Sequence, residues 1–193
     1  MNKMKSYFLK NIKLLMIITI SFLVFFTLSN DEDELLEKLN NNNELIEKYN
    51  KFKKMGVNKS IIFPENIIEN VIDTAISFIG TPNKHGGNDK ESIDASGLVY
   101  VSITKNSKIL FPRTAQEMAR YGKIITNTSK LIRGDLVFFY DTYEVNRIIT
   151  SVGIYLGDGK FIHSSSTKGV TISEIDDPYY WKDKFFYGTR IFK

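Results

Sequence analysis

The chain has 193 residues and no cysteine, which excludes disulfides, thiolate metal sites and a thiol nucleophile. Its net charge of +4 comes from residues 1–30, which hold four Lys and no acidic residue, while the remainder has 22 basic and 22 acidic residues. The remainder is therefore neutral, and nucleic-acid binding loses its electrostatic basis.

The N-terminal segment has the pattern of an export signal. Lysines precede an uncharged apolar run of 16 residues, LLMIITISFLVFFTLS, at positions 14–29. A basic segment before such a run is typical of a signal peptide, and the run is also close to the length that spans a bilayer. We expect residues 1–30 to be a signal peptide or a membrane anchor through residues 14–29. The rest of the chain is then exported to the cell envelope, periplasmic or extracellular.

Residues 31–63 begin with a charged stretch that four consecutive asparagines interrupt, DEDELLEKLNNNNELIEKYNKFKKMG. Its apolar residues fit two short amphipathic helices or a frayed spacer. We predict a helical, charged spacer over residues 31–63, with residues 31–60 dispensable for folding. The apolar pattern that can build a core lies almost entirely in residues 64–193.

Residues 64–193 have the pattern of an α+β domain. The stretch FPENIIENVIDTAISFIG predicts a helix that Pro64 begins and Gly80 ends, and a second helix starts at about Ser96. After Gly122 the period changes to two and β-branched and aromatic residues dominate, with a hairpin signal at GDG, residues 157–159. Helices followed by an antiparallel sheet define this fold class.

Five motifs in this order resemble the NlpC-type family of bacterial cell-wall cysteine peptidases: FIGTPNKHGG, IDASGLVY, FPRTAQEMA, GDLVFF and SVGIYLGDGKFIHSSS. The resemblance runs from about residue 67 to residue 192. It implies a papain-like α+β fold with N-terminal helices packed on an antiparallel β-sheet. It also implies the family's activity, the cleavage of peptidoglycan stem peptides.

The resemblance further implies where the catalytic groups of the family would lie. The nucleophilic cysteine falls at Ala95, the histidine base at Ser151, and the residue that orients the base at His163. A methyl group cannot attack a carbonyl, and an alcohol is not basic enough to take a proton near neutral pH. Only the orienting position is kept, so we expect a domain without peptidase activity.

By the resemblance, the positions that contact the substrate without taking part in cleavage have residue types typical of the family. By the resemblance, Asp94 faces the free amine of the stem peptide, Ser96 lines the subsite and Arg113 belongs to a Pro-Arg-Thr motif. Asn83 stands where the family tends to have Tyr, and we include it in the expected ligand-binding set. The residues alone also allow Asp94 as a helix N-cap and Arg113 as part of an internal ion pair. The run YYW, residues 179–181, is interpreted as a packed loop that could rim a cleft.

The sequence therefore predicts an exported, inactive NlpC-type domain that binds peptidoglycan stem peptide or an envelope protein. No metal or cofactor is expected, because two separated histidines without cysteine give no ligand set. One alternative is a cell-wall peptidoglycan endopeptidase present as an inactivated variant. Another is a structural or assembly domain without a ligand, which a buried and fully paired Asp94 would favour.

Overall fold

A computed structural model describes residues 35–37, 39, 42–143 and 145–193. Residues 42–193, apart from residue 144, which is not described, form one compact unit. The predicted export segment, residues 1–30, lies outside the described residues. Among the helices that are described, none combines the length and the apolar character that a membrane span requires.

Helices come first and strands follow, apart from one short helix near the C-terminus. The helices are α1 (Asn43–Lys54), α2 (Ile68–Ile76), α3 (Ala95–Asn106), α4 (Ala115–Met118) and α5 (Trp181–Lys184). The strands are β1 (Lys123–Ile125), β2 (Leu136–Tyr140), β3 (Ile149–Gly157), β4 (Lys160–Ser165), β5 (Gly169–Glu174) and β6 (Phe185–Arg190). The predicted fold class, α+β with helices packed on an antiparallel sheet, is confirmed.

The sheet has the strand order β1-β6-β2-β3-β4-β5, and each neighbouring pair is antiparallel. Strands β2 and β3 pair Phe139 with Ser151. The β3–β4 register continues to Gly153 and His163, where a Cβ on the glycine would stand 3.4 Å from the His163 Cβ. Because side chains alternate along a strand, Ser151 and His163 project from the same face of the sheet.

Side chains are buried on both faces of the sheet. On one face, Ser164 of β4 donates a hydrogen bond to the Ile93 carbonyl just before α3, and Tyr187 of β6 donates one to the Ala119 carbonyl just after α4. The other face carries Ser151 and His163 together with an apolar cluster, against which Trp181 packs. The cluster consists of Ile125, Leu131, Val137, Phe139, Tyr155, Phe161, Ile175 and Phe185.

Helix α1 belongs to the folded domain, although it lies in the segment predicted to be a spacer. Phe52 is fully buried, and Tyr49 packs against Phe186 of β6 with ring centroids 5.9 Å apart. Arg120 donates from Nε to the Gly56 carbonyl at 2.9 Å, which ties the end of α1 to the loop after α4. The domain boundary at residue 63 therefore stays a prediction. Helix α1, which precedes this boundary, is packed on the domain.

We expect a fragment of residues 61–193 to unfold cooperatively, but at a lower temperature than a fragment of residues 42–193. The shorter fragment loses the burial of Tyr49 and Phe52, and burying one large apolar side chain stabilises a fold by about 1.5–3 kcal/mol. Scanning calorimetry of the two fragments measures the difference. Equal melting temperatures would mean that residues 42–60 act only as a spacer.

Candidate functional site

The Asp94 carboxylate organises the N-terminus of α3. It accepts backbone N–H groups from Gly97 at 2.5 Å and Gly86 at 2.7 Å, and the Ser96 hydroxyl at 3.1 Å. Arg113 adds two further bonds, from Nη1 at 3.0 Å and from Nη2 at 3.3 Å. Asp94 is thus both an N-cap and half of an ion pair, and these are the two structural roles that the sequence allows for Asp94 and Arg113.

Arg113 connects this carboxylate to the loop before α3. Its Nη1 also donates to the Ser96 hydroxyl at 2.9 Å, and its Nη2 donates to the Gly87 carbonyl at 2.9 Å. A Cβ on Gly97 would collide with that same carbonyl and with the guanidinium. Gly97 is therefore required for packing here, a role that the motif IDASGLVY alone does not indicate.

The charge of Asp94 is stabilised locally. Burial raises the pKa of its carboxyl, but hydrogen bonds from Arg113, Gly97 and Gly86 outweigh this and lower the pKa below the usual value. The carboxylate remains ionised near neutral pH, with 14% of its side chain exposed against 31% for Arg113. A ligand ammonium would have to share Asp94 with Arg113, and the predicted role of Asp94 in ligand binding stays a prediction.

The predicted nucleophile position, Ala95, lies close to strand β4. Two residues before it, the Ile93 carbonyl accepts the Ser164 hydroxyl at 2.7 Å, and Ser164 directly follows His163. The Asn83 amide donates to the same hydroxyl at 2.8 Å. Asn83 therefore links the loop before α3 to β4 by a hydrogen bond, which local sequence patterns do not indicate.

His163, the predicted orienting position, is enclosed by aromatic side chains and 1% exposed. Its ring stacks on Phe161 at 4.9 Å and meets the edge of Trp181 at 4.7 Å, while Nε2 lies 2.9 Å from the Ser173 hydroxyl. Burial lowers the pKa of His163 to about 4. The imidazole is therefore neutral near pH 7 and has the environment of a packed core residue.

Ser151, the predicted base position, lies on the same sheet face as His163 and is 8% exposed. Its cross-strand partner Phe139 lies 4.6 Å from Trp181 between ring centroids. Trp181 thus contacts both strands that flank β3, at Phe139 on β2 and at His163 on β4. Trp181 reaches the predicted site through contacts with residues far from it in the chain. The YYW pattern alone therefore cannot predict these contacts.

We expect the free energy of unfolding to fall by about 3 kcal/mol as the pH drops from about 6.5 towards about 4, because of His163 alone. In this range the unfolded chain binds a proton at His163 that the folded chain does not, since its folded pKa is lowered to about 4. The folded state has its full stability above the pKa of His163 in the unfolded chain, about 6.5, and loses this contribution as the pH falls towards about 4. Urea unfolding between about pH 7.5 and about pH 4.5 measures it.

The control for this experiment is the second histidine of the chain. His163→Phe should flatten the pH dependence over this range, whereas His85→Gln, at an exposed loop position, should leave it unchanged. The same pH dependence in His163→Phe and in the unsubstituted protein would contradict the assignment of a neutral, buried His163.

Comparisons with known proteins agree with this architecture. The sequence profile of the NlpC/P60 family matches residues 80–190. A probable endopeptidase NlpC homolog of Haemophilus influenzae is 32% identical over 165 residues, which cover 85% of this chain and 84% of the relative. The murein DD-endopeptidase MepS/murein LD-carboxypeptidase of Escherichia coli is 32% identical over 133 residues, covering 66% of this chain and 68% of that protein.

Solved structures share the fold. An NlpC/P60 family protein from Bacillus cereus superposes with a TM-score of 0.57 at 26% identity, over 64% of this chain and 40% of its own. RipD from Mycobacterium tuberculosis, described as a non-catalytic NlpC/p60 domain protein adapted to peptidoglycan binding, gives a TM-score of 0.50 at 22% identity over 65% of this chain and 97% of its own. The RipD likeness is one of fold alone.

Proposed function

The chain belongs to the NlpC/P60 family, and we propose that within this family it is a non-catalytic domain that binds the stem peptide of peptidoglycan. The observation that carries the proposal is Ala95 at the first position of α3, directly after its N-cap Asp94, in a chain without cysteine. The scaffold that would present a nucleophile is in place, while the nucleophile is not.

The lack of catalysis follows from the chemistry of the available side chains. The family reaction needs a thiolate, which an imidazole within hydrogen-bond reach generates and a helix N-terminus stabilises. Ala95 offers a methyl group and Ser151 a hydroxyl that is not basic. His163 does not replace the base, because it is buried and its pKa is lowered to about 4.

Binding is supported by the polar groups that border Ala95. Arg113 keeps 31% of its side chain exposed, and the Ser96 hydroxyl is held between the guanidinium and the carboxylate of Asp94. These groups are fixed before any ligand arrives, which lowers the entropic cost of binding. RipD, described as non-catalytic and adapted to peptidoglycan binding, provides a precedent within this fold.

The proposed location is the cell envelope. One relative is named for its action on murein, which lies there, and the N-terminal apolar run of residues 14–29 has the character of a signal peptide or membrane anchor. An envelope protein that carries a peptide of similar chemistry is the other partner we propose. Nucleic acid is not proposed as a partner, because residues 31–193 carry balanced charge.

We expect no cleavage of purified peptidoglycan or of muropeptides, and no response to thiol-blocking reagents. In a serine protease, loss of the nucleophile alone lowers the rate by about 10⁶, and here the base is also replaced. Product analysis by liquid chromatography tests the expectation. Cleavage that persists through repurification, with constant specific activity, would contradict it.

The matched variant for this test is Ala95→Cys combined with Ser151→His. Alkylation of the new cysteine near neutral pH should be faster than in Ala95→Cys alone, since an adjacent imidazole favours the thiolate. Cleavage by the double variant would instead identify the chain as an inactivated form of a cell-wall endopeptidase.

We expect Asp94→Asn to weaken binding of a stem peptide with a free amine about tenfold or more, by removing a contact of about 1.5 to 3 kcal/mol. Binding of the N-acetylated peptide should change little. Calorimetric titration of both peptides against both proteins measures this, and melting temperatures show whether the variant keeps the fold. An equal loss for both peptides would assign Asp94 a structural role only.

The second candidate function is a structural or assembly domain whose groove takes no ligand. It is favoured by the five hydrogen bonds that Asp94 already accepts within the chain. Under this alternative, neither peptide binds at millimolar concentration, and Asp94→Asn lowers the melting temperature without any effect on affinity. The same titrations therefore separate the two functions.

A further inference from the structure

Two loops of the domain expose large aliphatic side chains. Leu110, in the loop between α3 and α4, is 89% exposed, and its neighbour Ile109 is 39% exposed. Ile62, in the segment between α1 and α2, is 54% exposed. Single exposed aliphatic residues are common, whereas a group of them marks a contact surface. We call Ile62, Ile109 and Leu110 the aliphatic patch.

The two loops of the aliphatic patch are joined by aromatic residues beneath it. Phe63 and Phe111 are buried, and their rings meet edge to face with centroids 5.6 Å apart. Each phenylalanine directly follows a patch residue, Ile62 in one loop and Leu110 in the other. Because the rings are buried and the residues before them are exposed, the two aliphatic side chains lie on the outer side of this contact.

Lysines border the aliphatic patch in both loops. Lys108 is exposed and directly precedes Ile109. The Lys59 ammonium lies 5.6 Å from the centre of the Tyr121 ring, and this ring meets Phe111 at 6.4 Å. Both lysines are therefore close to the packed rings that support the patch.

The charge of the two loops is positive. Residues 53–63 contain three Lys and residues 105–112 contain two, and neither stretch has an acidic residue. Within the part of the chain that the structure describes, Lys59 and Lys108 form no ion pair. A surface of this kind attracts a negatively charged one.

We propose that the aliphatic patch docks on the surface of an anionic phospholipid bilayer, an inference that goes beyond the proposed function. The interface of such a bilayer offers both complements of the patch. Its acyl chains take up apolar side chains, and its phosphate headgroups attract the ammonium groups of Lys59 and Lys108. A bilayer therefore matches the combination of exposed aliphatic residues with lysines and no acidic residue.

The length of chain before the domain agrees with this occupant. Residues 30–41 separate the predicted anchor, residues 14–29, from Asn42, where the compact unit begins. These 12 residues reach about 40 Å at most when fully extended. A retained anchor thus keeps the domain beside the bilayer, and docking becomes an intramolecular step with a high effective concentration of lipid.

The test uses the full chain in lipid nanodiscs, with a nitroxide label on Leu110→Cys. The label attaches at one position because the chain has no cysteine. In discs that contain phosphatidylglycerol, it should lose most of its accessibility to a water-soluble nickel chelate, and in discs of phosphatidylcholine alone it should stay accessible. The matched control is the label on Tyr179→Cys, at a position that is 95% exposed before α5, which should stay accessible in both.

The lysines are tested in the labelled Leu110→Cys protein. Lys59→Gln combined with Lys108→Gln should lower the ratio of docked to undocked domain in the anionic discs about 25-fold, about fivefold for each lysine. Melting temperatures show whether the variants keep the fold. A Leu110→Cys label that is equally accessible in both kinds of disc, or equally protected in both, would overturn the proposal. Equal accessibility would leave the aliphatic patch as a contact for a protein partner.

This experiment is independent of the proposed function. Lys59, Lys108 and Leu110 are not among the groups proposed to contact the stem peptide, and the discs contain no peptide. Failure of bilayer docking therefore leaves the stem-peptide proposal unaffected. Absence of peptide binding in the calorimetric titrations would equally leave the docking result unaffected.

Discussion

The Asp94 carboxylate is the constraint that joins the N-terminus of α3 to the two loops around it. Its five hydrogen bonds come from three stretches of chain: the loop before α3 through Gly86, the first turn of α3 through Ser96 and Gly97, and the loop before α4 through Arg113. Removing the carboxylate would leave the partly buried Arg113 guanidinium without a counter-charge and two backbone N–H groups without an acceptor. The network is therefore needed for folding, whether or not position 95 carries a nucleophile. Family-like residues around Ala95 consequently do not by themselves indicate catalysis.

The same reasoning applies to His163. An imidazole that orients a catalytic base must hydrogen-bond to that base. The imidazole of His163 is instead enclosed by Phe161 and Trp181, and its Nε2 lies at hydrogen-bond distance from the Ser173 hydroxyl. These contacts fix the ring in the core, but they leave its Nδ1 buried without a hydrogen-bond partner among the described residues. They also explain why its pKa is lowered far enough to keep the ring neutral.

Sequence patterns of neighbouring residues predict the helices and strands of the domain. They do not predict features that depend on contacts between residues far apart in the chain. The helix between Pro64 and Gly80, the Asp94 cap and the β-branched and aromatic runs of the strands are encoded within a few neighbouring residues. The helix itself is shorter than predicted, Ile68–Ile76, and β2 lacks the period of two because Leu136 to Phe139 are all buried. Helix α1 is harder to predict, because Tyr49 and Phe52 are its only buried residues in a highly charged segment, and Phe186, on which Tyr49 packs, is far along the chain. The hydrogen bond between Asn83 and Ser164 joins residues 81 positions apart, so no local sequence pattern predicts it.

Under the proposed function, a domain without catalysis can use the rest of its surface differently from an enzyme. An enzyme that binds its product tightly is slowed by release, so contacts outside the reacting groups are useful only if they favour the transition state. A domain that does not cut has no product to release, and each added contact lengthens the lifetime of the complex. Exposed aromatic rings therefore favour retention of a bound partner. On this argument, Tyr179, at 95% exposure, is better suited to a binding domain than to a rapidly turning-over peptidase.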